Sequence, residues 1–149
     1  MTKPEVRPAK PDDLPGVLSL YRQLHPGDPV IDPPAAETVW SALLSCDLTT
    51  VFVVDFAGLL VSSCTLAIVP NLSRGGRPYG VIENVVTDAD HRRIGLGRAV
   101  LHAALDKAWQ ANCYKVLLAT GSQRESTLRF YEAAGFKQGG KTYFEIRRA

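Results

Sequence analysis

A short stretch of the chain combines glycines and arginines in a way that could bind a phosphate group. Residues 91–98 read His-Arg-Arg-Ile-Gly-Leu-Gly-Arg, with no acidic residue among them. Gly95 and Gly97 let the backbone approach a ligand closely and leave amide N–H groups free to donate to an anion. A helical pattern begins here, so the positive end of a helix dipole adds to the three arginine charges. The spacing predicts an anion-binding loop, and a glycine turn with solvated arginines is the alternative.

Two polar residues lie in the apolar segment that precedes this loop. Residues 81–86 read Val-Ile-Glu-Asn-Val-Val, and alternation along a strand would place Glu83 and Asn84 on opposite faces. Burial among aliphatic side chains would make Glu83 a stronger base, which suits a group that takes a proton from an amine. A carboxylate satisfied by a partner on the next strand is the structural alternative.

A second phosphate-loop pattern fails on its context. Residues 135–142 read Gly-Phe-Lys-Gln-Gly-Gly-Lys-Thr, which matches the loop of nucleotide-hydrolysing enzymes. That loop must open a helix whose N-terminus faces the phosphates, whereas the residues after Thr142 alternate as in a strand. We therefore expect a turn before a final strand. A nucleotide-binding protein that uses this segment is the less favoured alternative.

Composition restricts the class of protein. The 149 residues carry 17 Lys and Arg against 15 Asp and Glu, a net charge of +2, which is too small for a broad nucleic-acid-binding surface. The three cysteines are odd in number and far apart, and no metal-ligand spacing occurs, so we expect reduced thiols and no metal site. The N-terminus lacks a signal-peptide pattern and no apolar run approaches a membrane span. We expect a cytoplasmic protein of one domain, residues 1–149, that binds neither nucleic acid nor membrane.

Hydrophobic periodicity predicts an α/β fold with the element order β-α-α-β-β-β-α-β-α-β. A long helix joins the strand at 79–87 to a strand at 114–120, and such a crossover makes the two strands parallel. A helix at 124–134 and a last strand at 136–146 complete the chain. The sheet is therefore predicted to be mixed rather than a repeated doubly wound sheet.

Two motifs on these elements resemble the GNAT superfamily of N-acetyltransferases. The first, Arg92-Arg93-Ile94-Gly95-Leu96-Gly97, matches the family pattern Gln/Arg-x-x-Gly-x-Gly/Ala. The second, Phe130-Tyr131-Glu132-Ala133-Ala134-Gly135-Phe136, matches the pattern Phe-Tyr-x-x-x-Gly-Phe. The resemblance covers essentially the whole chain. Within the superfamily, Ile82-Glu83-Asn84 and Cys113-Tyr114-Lys115 resemble the glucosamine-6-phosphate N-acetyltransferase branch, which has Asp where this chain has Asn84.

The resemblance implies acetyl-coenzyme A (acetyl-CoA) as the donor, two splayed parallel central strands that admit its pantetheine arm, and a homodimer. It implies that Tyr131 lies near the acetyl sulfur, where it would protonate the leaving thiolate. It also implies a set of backbone groups that hold pantetheine and pyrophosphate. These groups belong to Val85, Val86, Thr87, Arg92, Arg93, Ile94, Gly95, Leu96, Gly97 and Arg98.

We therefore expect direct transfer of an acetyl group to the primary amine of a small molecule. Glu83 would deprotonate the amine, and the backbone N–H of Val85 or Val86 would donate to the carbonyl oxygen. Arg74 and Arg77, in the loop before the strand, together with Asn84, are predicted to bind the acceptor, although a solvated loop fits equally. A covalent route through a cysteine is less favoured. A non-catalytic acyl-CoA sensor is the alternative function.

Overall fold

The computed structural model describes residues 3–148, which contain one five-stranded mixed sheet and five α-helices. The strands follow one another across the sheet in chain order, and only β4 and β5 are parallel. They are β1 (Glu5–Pro8), β2 (Thr49–Phe56), β3 (Leu59–Val69), β4 (Tyr79–Thr87) and β5 (Val116–Leu117). The helices are α1 (Leu14–Leu24), α2 (Pro33–Ser45), the single turn α3 (Ser73–Gly76), α4 (Leu96–Gln110) and α5 (Glu125–Ala133).

The chain divides into two compact units, one that ends at Leu118 and one that begins at Ala119. The first unit holds the whole sheet with α1 to α4, and the second holds α5.

The sheet of the first unit is covered on both faces by apolar helix surfaces. On one face, α1 and α2 contribute Val17, Leu20 and Trp40 to a cluster that includes Val53 of β2 and Val86 of β4. On the other face lies α4, whose inner side chains are almost fully buried. They recur at spacings of three and four residues, as the sequence predicts, and are Val100, Leu101, Ala104 and Ala108. A sheet packed in this way fixes the position of each strand end.

The predicted mixed α/β fold is confirmed, with two differences near the C-terminus. The strand expected at 114–120 comprises only Val116 and Leu117. The last strand, expected at 136–146, is not observed, because the described residues after α5 form no strand up to residue 148. Alternation predicts which side chains share a face, but a strand exists only where a neighbouring strand supplies hydrogen-bond partners. Phe144 and Ile146, at 87% and 98% exposure, lie on no such neighbour.

One charged network fastens β1 to the sheet. The Arg7 guanidinium donates to Asp13 Oδ2 at 2.7 Å and to Asp55 Oδ2 at 3.1 Å, and the Lys10 backbone N–H donates to Asp13 at 2.7 Å. The side chains of Arg7 and Asp13 are 12% and 10% exposed, so solvent screens this pair little. The hydrogen bond from Arg7 holds the pKa of Asp13 below its usual value.

Substitution Asp13→Asn should lower the free energy of unfolding at pH 7 by about 1–3 kcal/mol, because Arg7 then loses its principal buried partner. The pKa of Asp13 is lower in the folded than in the unfolded chain. Its stabilising contribution is therefore present above pH ~4 and lost as the pH falls through the folded value. Urea unfolding across this range should show a flatter acid limb for the variant. Asp12→Asn, at the exposed neighbour, is the control, and equal losses in both variants would contradict the role of Arg7.

Candidate active site

The central strand β4 contains a bulge at the two residues that follow Glu83. Thr65 of β3 lies opposite Glu83, and Ser63 lies opposite Val86, so Asn84 and Val85 together face the single residue Cys64. Asn84 has φ = +54°, the left-handed region that asparagine tolerates better than most side chains. A bulge of this kind leaves one residue out of the ladder and bends the strand.

The bulge changes which side chains share a face of the sheet. Without it, Ile82 and Val86 would face the same way, as the sequence predicts. Instead Ile82 lies across from Leu66 on the α4 face, whereas Val86 joins the core cluster beneath α1 and α2. Glu83 therefore lies on the same face as Val86. Its side chain is exposed, so the expectation that aliphatic neighbours bury Glu83 is wrong. The helix-covered core on this face includes Val86 but not Glu83, which solvent reaches.

Glu83 ends a strip of sheet that solvent reaches. Tyr79, Val81 and Glu83 of β4 lie on one face and are each at least partly exposed, while Gly80 and Ile82 between them are buried. Their partners across β3 are also half-buried, and these are Val69, Ala67 and Thr65. We call these six residues the open strip. It gives a molecule from solvent a path along β4 to the Glu83 carboxylate.

A tyrosine of α1 borders this strip, and sequence reasoning missed it. The Tyr21 hydroxyl lies 3.5 Å from Thr65 Oγ1. Burial raises the pKa of Tyr21, and hydrogen bonds with Thr65 and Asn84 act in the opposite direction. Tyr21 therefore joins α1 to the side chain at the bulge. In the sequence, Tyr21 is one of the residues of the apolar stripe of α1. Its hydroxyl group was the only signal that it has a polar partner.

Beyond the open strip, β4 has an edge that no strand of the first unit covers. β5 pairs with β4 only at Gly80 and Val81, so the parallel strands part before the bulge. Apart from the bulge, residues 82–87 keep their pairing to β3, but their other edge carries backbone N–H and C=O groups without a β5 partner. Val85, Val86 and Thr87, which the sequence predicts to bind pantetheine, lie in this segment. An extended chain with amide groups can pair with such an edge.

The predicted anion loop lies directly after this edge. Helix α4 begins at Leu96, and Gly95 before it has φ = +85°, a conformation that favours glycine. The first N–H groups of α4 have no partner within the helix because the helix starts there. Arg92 Nε donates to the Thr87 carbonyl at 3.2 Å, and no ion pair among the described residues includes Arg93 or Arg98. Free amides and uncompensated cations are what a pyrophosphate requires.

The turn between β4 and this loop is fixed by a residue of α1. Gln23 donates from Nε2 to Asp88 Oδ1 at 2.7 Å and accepts from the Ala89 backbone N–H at 3.0 Å. His91 Nδ1 lies 2.6 Å from the other Asp88 oxygen. The hydrogen bonds from Gln23 and His91 lower the pKa of Asp88. The turn before the loop is therefore fixed by a residue of α1, the helix on the face of the sheet that carries Glu83. Gln23 and Asp88 are too far apart in the chain for a local sequence pattern to indicate this contact.

The two arginines predicted to bind an acceptor differ in their contacts. Arg77 donates from Nε to the Asn112 carbonyl at 3.2 Å and from Nη2 to the Cys113 carbonyl at 3.3 Å. Arg74, in the left-handed region with φ = +56°, places its guanidinium carbon 5.5 Å from the centre of the Tyr114 ring. Arg77 thus joins the loop to the end of α4, and Arg74 keeps its charge available.

The second unit places Tyr131 within an aromatic group of its own. Its ring centre lies 5.0 Å from that of Phe130 and 6.2 Å from that of Phe136. Gly135, with φ = +104°, ends the helix, and the Phe136 N–H donates to the Tyr131 carbonyl, as is common at helix C-termini. No helix follows Thr142 in the described residues up to 148, so the context that a nucleotide phosphate loop needs is missing there.

The two buried thiols do not form a second reactive centre. Burial raises the pKa of the Cys64 thiol to about 12 and also raises that of Cys113, so neither is a ready nucleophile.

Across residues 3–148 no cluster of His, Cys, Asp or Glu is arranged to hold a metal ion. In the same range, no helix combines the length and apolar character of a membrane span. An open cleft of about 710 Å³ lies by the C-terminal end of α4 and contains none of the predicted site residues.

Known acetyltransferases resemble this chain in sequence and in fold. A family model, that of the acetyltransferase (GNAT) family, matches residues 16–136. The glucosamine 6-phosphate N-acetyltransferase of Trypanosoma brucei brucei is 34% identical over 133 residues, 89% of this chain and 88% of that protein. A solved structure of a candidate acetyltransferase from Agrobacterium tumefaciens str. C58 superposes with a TM-score of 0.92 at 46% identity, covering 97% of this chain and 99% of that one. A Trypanosoma brucei acetyltransferase superposes with a TM-score of 0.83 at 28% identity, covering 97% and 100%.

The bulge gives a matched pair of variants. Asn84→Ala and Asn84→Gly both remove the side-chain amide, but only alanine is strained at φ = +54°. The alanine variant should therefore be about 1 kcal/mol less stable to urea than the glycine variant. If alanine proves as stable as glycine at this position, the left-handed backbone that defines the bulge is not present in solution.

Proposed function

The chain belongs to the acetyltransferase (GNAT) family, and from this premise we propose which acceptor it takes and which residues carry out the transfer. It is an acetyl-CoA-dependent N-acetyltransferase. We propose that the acceptor is the primary amine of an amino sugar phosphate of the glucosamine 6-phosphate type, the substrate in the name of the Trypanosoma brucei brucei relative. The observation that supports transfer to an amine at this site is the exposed carboxylate of Glu83 on the open strip. It lies beside the edge of β4 that β5 does not cover.

The residues around β4 fit the donor. The backbone of Val85, Val86 and Thr87 would hold the pantetheine arm by pairing with its amide groups, and the loop after β4 would hold the pyrophosphate. Acetyl-CoA, when bound, supplies an activated acetyl thioester that an amine can attack directly. The loop residues concerned are Arg92, Arg93, Ile94, Gly95, Leu96, Gly97 and Arg98.

Glu83 is the proposed general base. A lysine-like acceptor amine, with a pKa near ~10, is mostly protonated at neutral pH, and the less basic amine of an amino sugar is protonated in part, so the protonated form must lose a proton before it can attack. Glu83 is exposed, so it can accept that proton directly or through a water molecule that the open strip admits. Val85, which the bulge leaves without a β3 partner of its own, or Val86 is the proposed backbone donor to the acetyl carbonyl oxygen. Tyr131 is the proposed acid that protonates the leaving thiolate.

Asn84, Arg74 and Arg77 are proposed to form the acceptor side of the site, with different tasks. The Asn84 side chain forms a hydrogen bond with Tyr21, which borders the open strip. The glucosamine-6-phosphate N-acetyltransferase branch has an aspartate at the position of Asn84. Arg77 positions the loop through its two carbonyl contacts, and Arg74 carries the charge that an acceptor can use.

We further propose that the chain is one catalytic domain over residues 1–149, that it works in the cytoplasm as a homodimer, and that it binds neither nucleic acid nor membrane. The match of the family model across residues 16–136, which span parts of both compact units, supports the single domain. No observation favours the non-catalytic acyl-CoA sensor.

The assay that tests this proposal follows the release of free coenzyme A thiol from acetyl-CoA in the presence of glucosamine 6-phosphate, a polyamine and an amino acid. Turnover should be fastest with glucosamine 6-phosphate. Glu83→Gln should lower kcat by roughly 10²- to 10⁴-fold, the usual contribution of a general base, with the KM for acetyl-CoA unchanged.

Asp106→Asn, at an exposed acid on α4, is the matched control and should keep full activity. In the same assay Tyr131→Phe should lower kcat without weakening acetyl-CoA binding. Binding of acetyl-CoA without thiol release for any amine would instead identify the chain as a sensor and overturn the proposal.

A further inference from the structure

The turn that leads from β4 into the anion loop is held by contacts from the sheet and from helix α1. Residues 89–91 form one turn of 3₁₀ helix, which the Asp88 side chain caps by accepting from the Asp90 backbone N–H at 3.2 Å. The Asp88 backbone N–H donates to the Val61 carbonyl of β3 at 2.8 Å. Gln23 supplies the contacts from α1. Asp88 is therefore the residue through which both elements reach the loop.

Both oxygens of the Asp88 carboxylate accept hydrogen bonds or lie against a ring nitrogen. Oδ1 accepts from Gln23 Nε2 at 2.7 Å, and Oδ2 lies 2.6 Å from His91 Nδ1. The Gln23 amide uses its other end as well, since its Oε1 accepts from the Ala89 backbone N–H at 3.0 Å. One amide group thus binds the side chain of one residue and the backbone of the next. These two bonds together fix the direction in which the chain leaves β4.

Helix α1 is a firm support for these contacts. Leu20, three residues before Gln23, is 1% exposed in the core beneath α1, and Leu24, the residue after it, packs against the same core. The Gln23 side chain is itself exposed and is not part of that core. Replacing Gln23 therefore removes its hydrogen bonds to the turn and leaves the packing of α1 in place.

The loop that follows the turn contains two residues with left-handed backbone. Arg93 has φ = +65° and Gly95 has φ = +85°. An arginine in this region carries a steric penalty, so such a conformation persists only where the surrounding structure imposes it. Helix α4, whose first residue Leu96 is buried, holds the C-terminal end of the loop. The contacts of Asp88 with Gln23 act at the opposite end.

We propose that Gln23 is a positioning residue for the donor, which holds Asp88 and Ala89 so that the anion loop keeps the conformation that binds a pyrophosphate. This inference rests on the proposed function, which assigns the loop to acetyl-CoA. A loop that is ordered before the donor arrives loses less conformational entropy on binding. Without Gln23 the loop occupies the binding conformation for a smaller fraction of the time, and the apparent Kd rises by the inverse of that fraction. The bound donor itself orders the loop, so the rate of transfer at saturation is unaffected.

Calorimetric titration of the full chain with coenzyme A measures this effect without turnover. Gln23→Ala should raise the Kd for coenzyme A on the order of 10-fold, because one hydrogen bond to a carboxylate and one from a backbone N–H are lost. In the thiol-release assay the KM for acetyl-CoA should rise, while kcat and the KM for glucosamine 6-phosphate stay at their wild-type values. This split distinguishes a positioning residue from one that only stabilises the fold.

An interchange of the two side-chain types tests the contact itself. Gln23→Glu alone places two carboxylates against each other and should weaken coenzyme A binding at least as much as Gln23→Ala. In the double variant Gln23→Glu/Asp88→Asn, the amide at position 88 can donate to the carboxylate at position 23, which still accepts from the Ala89 N–H. The double variant keeps the net charge of the wild type, and its Kd should return to within about threefold of the wild-type value.

Gln110→Ala, which removes an exposed glutamine at the far end of α4, is the matched control and should bind coenzyme A like the wild type. Thermal melts check that each variant is folded, and the interchange carries the test if Gln23→Ala is not. The inference is overturned by wild-type protein that does not bind coenzyme A, by an unchanged Kd in folded Gln23→Ala, or by a double variant that binds no better than Gln23→Glu. Failure of the proposed function is separate and appears as absence of thiol release by the wild type with glucosamine 6-phosphate.

Discussion

The site depends on the bulge at Asn84 and Val85. A regular strand would bury or expose every second side chain without interruption, and it could not place both Glu83 and Val86 on one face. Because two residues of β4 face only Cys64, Val86 closes the core under α1 and α2 while Glu83 remains open to solvent three positions earlier. The same distortion accompanies the separation of β4 from β5, which leaves residues 82–87 with one uncovered edge. One local irregularity thus sets both the packing of Val86 and the exposure of Glu83.

Charge is distributed along β4 in a way that the net charge of the chain conceals. The predicted anion loop with Arg93 and Arg98 follows the C-terminal end of the strand, and Arg74 and Lys115 lie beside tyrosine rings near its N-terminal end. Glu83 is the acid between them. In the proposed function, the C-terminal end of β4 and the loop after it bind the donor, and Arg74 near the other end carries a charge for the acceptor. A net charge of +2 for the whole chain is compatible with a local group of cations at each end of this strand.

Sequence patterns predicted the elements that are defined locally. The strand that carries Glu83 and the helix that begins after Gly95 have apolar periodicities and a glycine signal that need no distant partner. The bulge was not predictable from the sequence. The apolar residues around Asn84 alternate as they would in a regular strand, and the sequence does not indicate that the Asn84 backbone is left-handed. Gln23 and Tyr21 act on partners more than 40 residues away, so their place on the helix α1 indicated only packing. Arg77 was grouped with Arg74 by spacing, and only its contacts with backbone carbonyls distinguish the two. The strand expected at 136–146 failed for the opposite reason. Its apolar and polar residues alternate as in a strand, but no neighbouring strand pairs with it.

Amide hydrogen exchange with and without acetyl-CoA tests the central claim, that the uncovered edge of β4 together with the start of α4 binds the donor. Addition of acetyl-CoA should slow the exchange of amides within residues 85–87 and at the start of α4, at residues 95–98. The amides of Tyr79 to Val81, at the far end of the strand, should change little. Calorimetric binding of acetyl-CoA with no added protection at 85–87 and 95–98 would contradict the account.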